Sequence, residues 1–145
     1  MFLENLINRG SMPVLERVLS FTAARQEVLA NNVSNFATPG YTMKDLPTEE
    51  FFGALREAAD RRAAGGAGAA LEMGSTRHLR WDEQGRLEAQ VAEAEDNNIV
   101  FHDGNNRSVE KQMSEMSKNA LLHNVTVELL RQQYNVLQTA IRGRL

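Results

Sequence analysis

The sequence predicts a mainly α protein: long N- and C-terminal helices that form an antiparallel coiled-coil pair, with a partly ordered insertion, including a candidate β-hairpin, between them. Three observations carry this expectation. Apolar or small residues recur at Val109, Met113, Met116, Ala120, His123, Val127, Leu130, Tyr134, Leu137 and Ile141, the spacing alternating between four and three, and only His123 is polar. Such an alternation keeps one seam turned toward a partner helix. A shorter row of the same kind runs through Leu15, Leu19, Thr22, Gln26, Leu29, Val33 and Phe36. Between the two rows lies Ala-Ala-Gly-Gly-Ala-Gly-Ala-Ala at 63–70, which has too little side chain to bury and reads as a flexible linker.

Taken in order, residues 1–10 are a mildly apolar lead, and Pro13 suits a first helical turn, so a helix begins near Ser11 or Met12. Val14, Val18, Phe21 and Val28 make a second stripe beside its seam. Thr22 and Gln26 interrupt that seam, so this helix depends on packing against a partner, for which the C-terminal helix is the candidate. The segment 31–41, Asn-Asn-Val-Ser-Asn-Phe-Ala-Thr-Pro-Gly-Tyr, ends the helix. Its Asn and Ser side chains compete for backbone hydrogen bonds, Thr38 is pushed toward an extended conformation by the proline after it, and Pro39-Gly40 fits the centre of a type II turn. A short amphipathic helix follows within 47–64, with Phe51, Phe52, Leu55 and Ala59 on one face and Glu49 and Glu50 in its first turn.

The span 65–98 reads as linker and small insertion, in which 76–81 and 87–91 flank the turn signal Asp82-Glu83-Gln84-Gly85. Asp103-Gly104-Asn105-Asn106 is a strong turn, after which Ser108 can cap the long helix and Glu110 favours its positive end. At about 1.5 Å per residue that helix is roughly 50 Å long. Its second apolar line, Leu122, Val125, Leu129, Val136 and Ala140, implies more than one neighbour. The expected organisation is therefore a terminal helical coiled-coil domain from 1–46 and 99–145, the 47–64 helix, and the 65–98 linker and insertion.

Composition excludes several function classes. Net charge is −3 with both signs mixed along the chain, so no basic stripe exists to neutralise nucleic-acid phosphates or an anionic membrane. The absence of cysteine removes disulfides and thiolate metal sites. No secretory signal or membrane-spanning run is expected. His78, His102 and His123 with Asp82, Asp96 and Asp103 are the residues from which a metal or catalytic site would have to be built, and none has motif spacing, so no catalytic, metal or cofactor site is expected. His123 reads as a hydrogen-bonded seam residue, a position where one polar group can set register. Trp81 either anchors an interface or covers the hairpin.

Residues 30–41, Ala-Asn-Asn-Val-Ser-Asn-Phe-Ala-Thr-Pro-Gly-Tyr, resemble the N-terminal signature of the bacterial flagellar axial proteins, the rod, hook and hook-associated subunits. In that family an N-terminal helix ends in an Asn-rich segment followed by Thr-Pro-Gly-Tyr. On this likeness Asn31, Asn32, Asn35, Thr38, Pro39, Gly40 and Tyr41 are the signature residues. The Asp103-Gly104-Asn105 turn before Val109-Glu110 and the ending at 133–144 look most like a proximal rod subunit, and the likeness covers 12–56 and 99–144.

The resemblance implies a structural subunit of the flagellar basal body, not an enzyme. Such a subunit is exported through the flagellar type III apparatus without a cleaved signal peptide and assembles in the periplasm, by its terminal helices, into a helical tube that transmits torque and forms part of the export channel. The implied partners are further copies of the chain, other proximal rod proteins, the rod-base adaptor FliE and the flagellar export gate, with no nucleic acid and no direct membrane insertion. The expected assembly interface is then Leu15, Leu19, Leu29, Val33 and Phe36 with the ten seam residues from Val109 to Ile141 named above. The same heptads and a pI of about 5.6 also fit a cytoplasmic coiled-coil adaptor or export chaperone acting as a closed dimer.

Overall fold

The computed structural model describes residues 10–66, 69–82, 87–89, 92–93 and 109–143. Among them are three helices, α1 (Met12–Ser34), α2 (Thr48–Ala64) and α3 (Val109–Ile141), and four short strands, β1 (Lys44–Asp45), β2 (Leu79–Trp81), β3 (Leu87–Ala89) and β4 (Ala92–Glu93). The 99–101 run, the 103–106 turn and the Ser108 cap lie outside the described residues. The chain is mainly helical, and its terminal helices α1 and α3 pack together. None of the described helices is long and apolar enough to cross a membrane.

Helix α1 starts where Pro13 directs it, with the proline in its first turn. At its other end the Asn and Ser side chains turn back onto the helix, Ser34 Oγ donating to Ala30 O at 2.9 Å and Asn35 Nδ2 to Asn31 O at 2.9 Å. The Tyr41 amide then donates to Thr38 O at 3.3 Å, and Gly40 takes a φ of +73°. That is the expected type II turn, whose third position needs a positive φ. A Cβ built on Gly40 meets nothing within 4 Å, so only the backbone resists a side chain there. Gly40→Ala is expected to cost about 1–2 kcal/mol, read as a lower urea midpoint; an unchanged midpoint would show that the turn is not held in this form.

The apolar core lies between α1 and α2. Val18 and Phe21 from α1, Leu46, Phe51, Leu55 and Ala58, together with Leu71 and Leu79, form one buried cluster. Phe21 and Phe51 stack with centroids 4.0 Å apart and planes 9° from parallel, and Phe52 closes edge-on against both. Trp81 tilts against Phe51 at 6.3 Å with the Arg17 guanidinium 4.6 Å from its ring centroid. Its packing covers this core.

Part of the span read as linker and small insertion, beyond the Gly/Ala run, is built into that core. Helix α2 continues to Ala64, where the glycine pair ends it, Gly66 carrying a φ of +85°. Arg62 then donates to Ala69 O at 3.0 Å and to Gly10 O at 2.9 Å. Leu71 and the fully buried Leu79 follow. Strand β2 pairs antiparallel with β3, Leu79 opposite Ala89 and Trp81 opposite Leu87, while the predicted turn residues 83–86 lie outside the described residues. A pairing that the sequence did not suggest joins β1 to β4, Lys44 opposite Glu93. Two-residue strands carry no readable periodicity.

Candidate assembly interface

Helix α3 packs against α1 through polar side chains. Gln112, Asn119, Thr126 and Leu130 are its buried residues, the first three seven residues apart. The predicted row at Met113, Ala120 and Val127 lies one residue on, and each residue turns an α-helix by about 100°. The face turned fully inward is thus the polar neighbour of the apolar seam. The reason is on α1, which has spent Val18 and Phe21 on the core and offers Thr22, Arg25 and Asn32 to α3, all buried.

The tiers of this contact ascend α1 as they descend α3. His123 Nδ1 lies 2.9 Å from Thr22 Oγ1. Because the Thr22 hydroxyl donates to Leu19 O at 3.0 Å, the imidazole nitrogen supplies the hydrogen. Asn119 Nδ2 donates to Thr22 O at 2.9 Å and to Gln26 Oε1 at 2.8 Å. Arg25 grips Asp45 with both arms, at 2.8 and 2.6 Å, and reaches Glu115 at 3.0 Å.

Asn32, with no exposed surface, closes the series. It donates to Lys44 O at 2.6 Å and to Gln112 Oε1 at 3.0 Å, and it accepts from the Lys44 amide at 3.0 Å and the Tyr41 hydroxyl at 3.1 Å. The Lys44 amide can only donate and its carbonyl can only accept, so the orientation of the Asn32 side chain is fixed by chemistry. All of its hydrogen-bonding capacity is used. One side chain therefore joins the end of α1, the turn, β1 and α3.

Charge follows the geometry. The Asp45 hydrogen bonds, and next its charge, raise the Arg25 guanidinium above its ordinary value despite burial. Glu115 is held below the usual carboxylate value of 4.5, first by Lys118 and then by Arg25. A carboxyl whose pKa is lower folded than unfolded stabilises fully above the unfolded value and loses that contribution as pH falls through the folded one. Acidification from about pH 6 to about pH 3 is expected to lower the urea midpoint, and Glu115→Gln to flatten that dependence. Identical slopes would show that Glu115 has no part in it. Glu50, lowered first by a hydrogen bond from Thr76 and then by His78, adds a parallel contribution where its carboxylate meets the His78 ring at 2.9 Å.

The predicted interface residues separate by exposure. Leu29 and Leu130 are buried; Leu15, Leu19, Phe36, Val109, Met116, Ala120, His123, Val127 and Leu137 are half-buried; Val33, Met113, Tyr134 and Ile141 are exposed. Of the signature residues Asn32 is buried, Asn35 and Tyr41 are half-buried, and Asn31, Thr38, Pro39 and Gly40 are exposed. The second stripe is open along its length, with Leu122 at 36%, Val125 at 49%, Leu129 at 44% and Val136 at 60% of full exposure. Scattered exposed apolar residues are ordinary, but several aligned along one helix make this face the candidate interaction surface.

Apolar periodicity missed Arg25, Asp45, Gln112, Glu115, Asn119 and Thr126. The seven-residue spacing of Gln112, Asn119 and Thr126 was the available signal. His78 and His123 are held by different partners, Glu50 and Thr22, and His102 lies outside the described residues. Among the described residues no group of three or more His, Asp or Glu is placed to hold a metal. In the shallow hollow lined by Ala58, Arg61, Arg62, Ala69, Ala70 and Glu72, both arginines donate to backbone carbonyls.

Comparison with known proteins matches the same features. The family model described as "Flagella basal body rod protein" matches residues 14–42, which take in most of α1 and the turn bound by Asn32. The chain is similar to the flagellar basal body rod protein FlgB of Yersinia enterocolitica, 23% identical over 92% of this chain and 94% of the relative. It is likewise similar to that of Bacillus subtilis, 28% identical over 92% and 95%, and to that of Salmonella typhimurium, 24% identical over 88% and 90%. These alignments run nearly end to end and carry the likeness past the signature into α2 and α3. Over nearly its whole length the chain is thus similar to the flagellar basal-body rod proteins of several bacteria.

Proposed function

We propose that this chain is built into the proximal part of the rod through α1 and α3, which form an antiparallel coiled-coil pair and present their outer faces to neighbouring subunits. As a rod protein the chain is a structural subunit of the flagellar basal body and not an enzyme. The observation that carries the finer reading is the mismatch on α3: its own chain occupies a polar row, while Leu122, Val125, Leu129 and Val136 face outward. One intramolecular partner leaves that stripe uncovered, and head-to-tail contacts between identical or related subunits supply the cover without closing into a dimer.

In this reading 1–46 and 99–145 form the assembling unit, and α2 with the described residues of 65–98 packs against α1 and braces it. The interface comprises the seam residues Leu15, Leu19, Leu29, Val33 and Phe36 on α1 and the Val109-to-Ile141 row on α3, extended by the outer stripe. The neighbours are further copies, other proximal rod proteins, the rod-base adaptor and the export gate, met in the periplasm after export without a cleaved signal peptide.

The test is assembly itself. The purified chain mixed with other proximal rod proteins is expected to form sedimentable polymers in which α3 amides gain exchange protection. A discrete, salt-stable dimer with no further growth would favour the closed cytoplasmic adaptor instead.

A further inference from the structure

We propose that the polar tiers between α1 and α3 are a register device, with Arg25 and Glu115 as its selective pair. This concerns contacts within one chain and does not depend on what covers the outer stripe.

The apolar rows repeat every seven residues, so sliding α3 by one heptad along α1 exchanges one apolar residue for another and changes little. The amide tiers also tolerate the slide in part: when α3 shifts so that residue 119 takes the place of residue 112, Asn32 meets Asn119 in place of Gln112, and the Gln26 tier meets Thr126 in place of Asn119. Arg25 has no such substitute. In that shifted register Leu122 occupies the place of Glu115, and in the opposite one Ser108 does, leaving the buried guanidinium without its second carboxylate. Thr22 similarly loses His123, to Leu130 or Met116. Asp45 still holds the guanidinium in either register, but the buried Nη2 loses a charge-assisted hydrogen bond to Glu115 and faces an apolar or neutral side chain, a larger penalty than a changed apolar contact. The same pair fixes rotation, because only the polar row brings Glu115 to Arg25 while holding the apolar stripe outward.

The chain contains no cysteine, so introduced thiols report register directly. Thr22→Cys is combined with His123→Cys for the observed register, or with Leu130→Cys or Met116→Cys for the registers displaced by one heptad, and a short bifunctional thiol crosslinker is applied to the full-length chain. The 22–123 link is expected to exceed either displaced link at least tenfold. Moving the carboxylate by one heptad, with Glu115→Leu and Leu122→Glu together, is expected to transfer the preference to the 22–130 link. Loss of a merely structural contact would weaken all links and would not move the maximum. If 22–123 still dominates in the relocated variant, the proposal is wrong. Should that variant fail to fold, Glu115→Gln is the second measurement: a rise of threefold or more in the displaced links supports the device, and unchanged ratios overturn it.

Discussion

Replacing Val125 and Leu129 together by aspartate is expected to abolish rod assembly while leaving the free chain folded. Both side chains are about half exposed, and substitutions at exposed helix positions away from special features change stability by only about 0.5 kcal/mol each. The cost appears when a neighbouring subunit covers the stripe, because burying an unpaired carboxylate against an apolar surface is penalised by several kcal/mol. Two such charges one turn apart exceed what the surrounding apolar contacts return. A strain carrying Val125→Asp and Leu129→Asp is expected to export the chain, leave rods incomplete and fail to swim, while the purified variant keeps the wild-type helical signal and urea midpoint. Normal motility would remove the outer stripe from the interface. Leu130→Asp, aimed at the centre of the apolar seam, does not separate these effects: Leu130 is 7% exposed within its own chain, so a charge there strikes the folded subunit before it meets a neighbour.

That contrast shows what the sequence makes legible. Elements specified by local rules can be read directly: Pro13 opens α1, the Asn-Ser segment closes it, and Pro39-Gly40 sets a turn whose φ is imposed by the residue itself. The long helix is equally plain, since its apolar period persists over the 33 residues of α3. Which of its faces meets α1 is not plain, because periodicity weighs apolar surface and has no measure of hydrogen-bond complementarity. Arg25, Asp45 and Glu115 come from three separate segments, and each alone resembles a solvated charge. Leu71 and Leu79 were hidden for a related reason. They stand as single apolar residues after a Gly-Ala run and become core only because Phe21 and Phe51 leave a surface beside them. Sequence reasoning thus located the helices and the signature, while the pairing chemistry became visible only once distant residues were brought together.

Asn32→Ala is expected to be among the most destabilising single changes in the chain, at about 2–4 kcal/mol. The side chain occupies a fully buried position with both of its donors and both acceptor sites engaged. Truncation removes four hydrogen bonds and, more importantly, leaves their partners behind: the Gln112 amide is itself buried, and the Lys44 amide loses the acceptor that Asn32 provided. A hydrogen bond exchanged for water changes stability by about 1 kcal/mol, whereas a partner left dry and unsatisfied adds about 1–3 kcal/mol. Lys44 and Tyr41 retain access to solvent, which keeps the total below the sum of four such losses. The control is Asn31→Ala, one residue away in the same signature but exposed, for which a change within about 0.5 kcal/mol is expected. Urea unfolding of the two variants checks the difference, and equal costs would show that the Asn32 node does not hold the turn to the helix pair. Because the node spans α1, the turn and α3, its loss should also raise amide exchange around Tyr41 and Gln112 together, although the two lie far apart in sequence; exchange confined to the turn would mean that α3 is held without it.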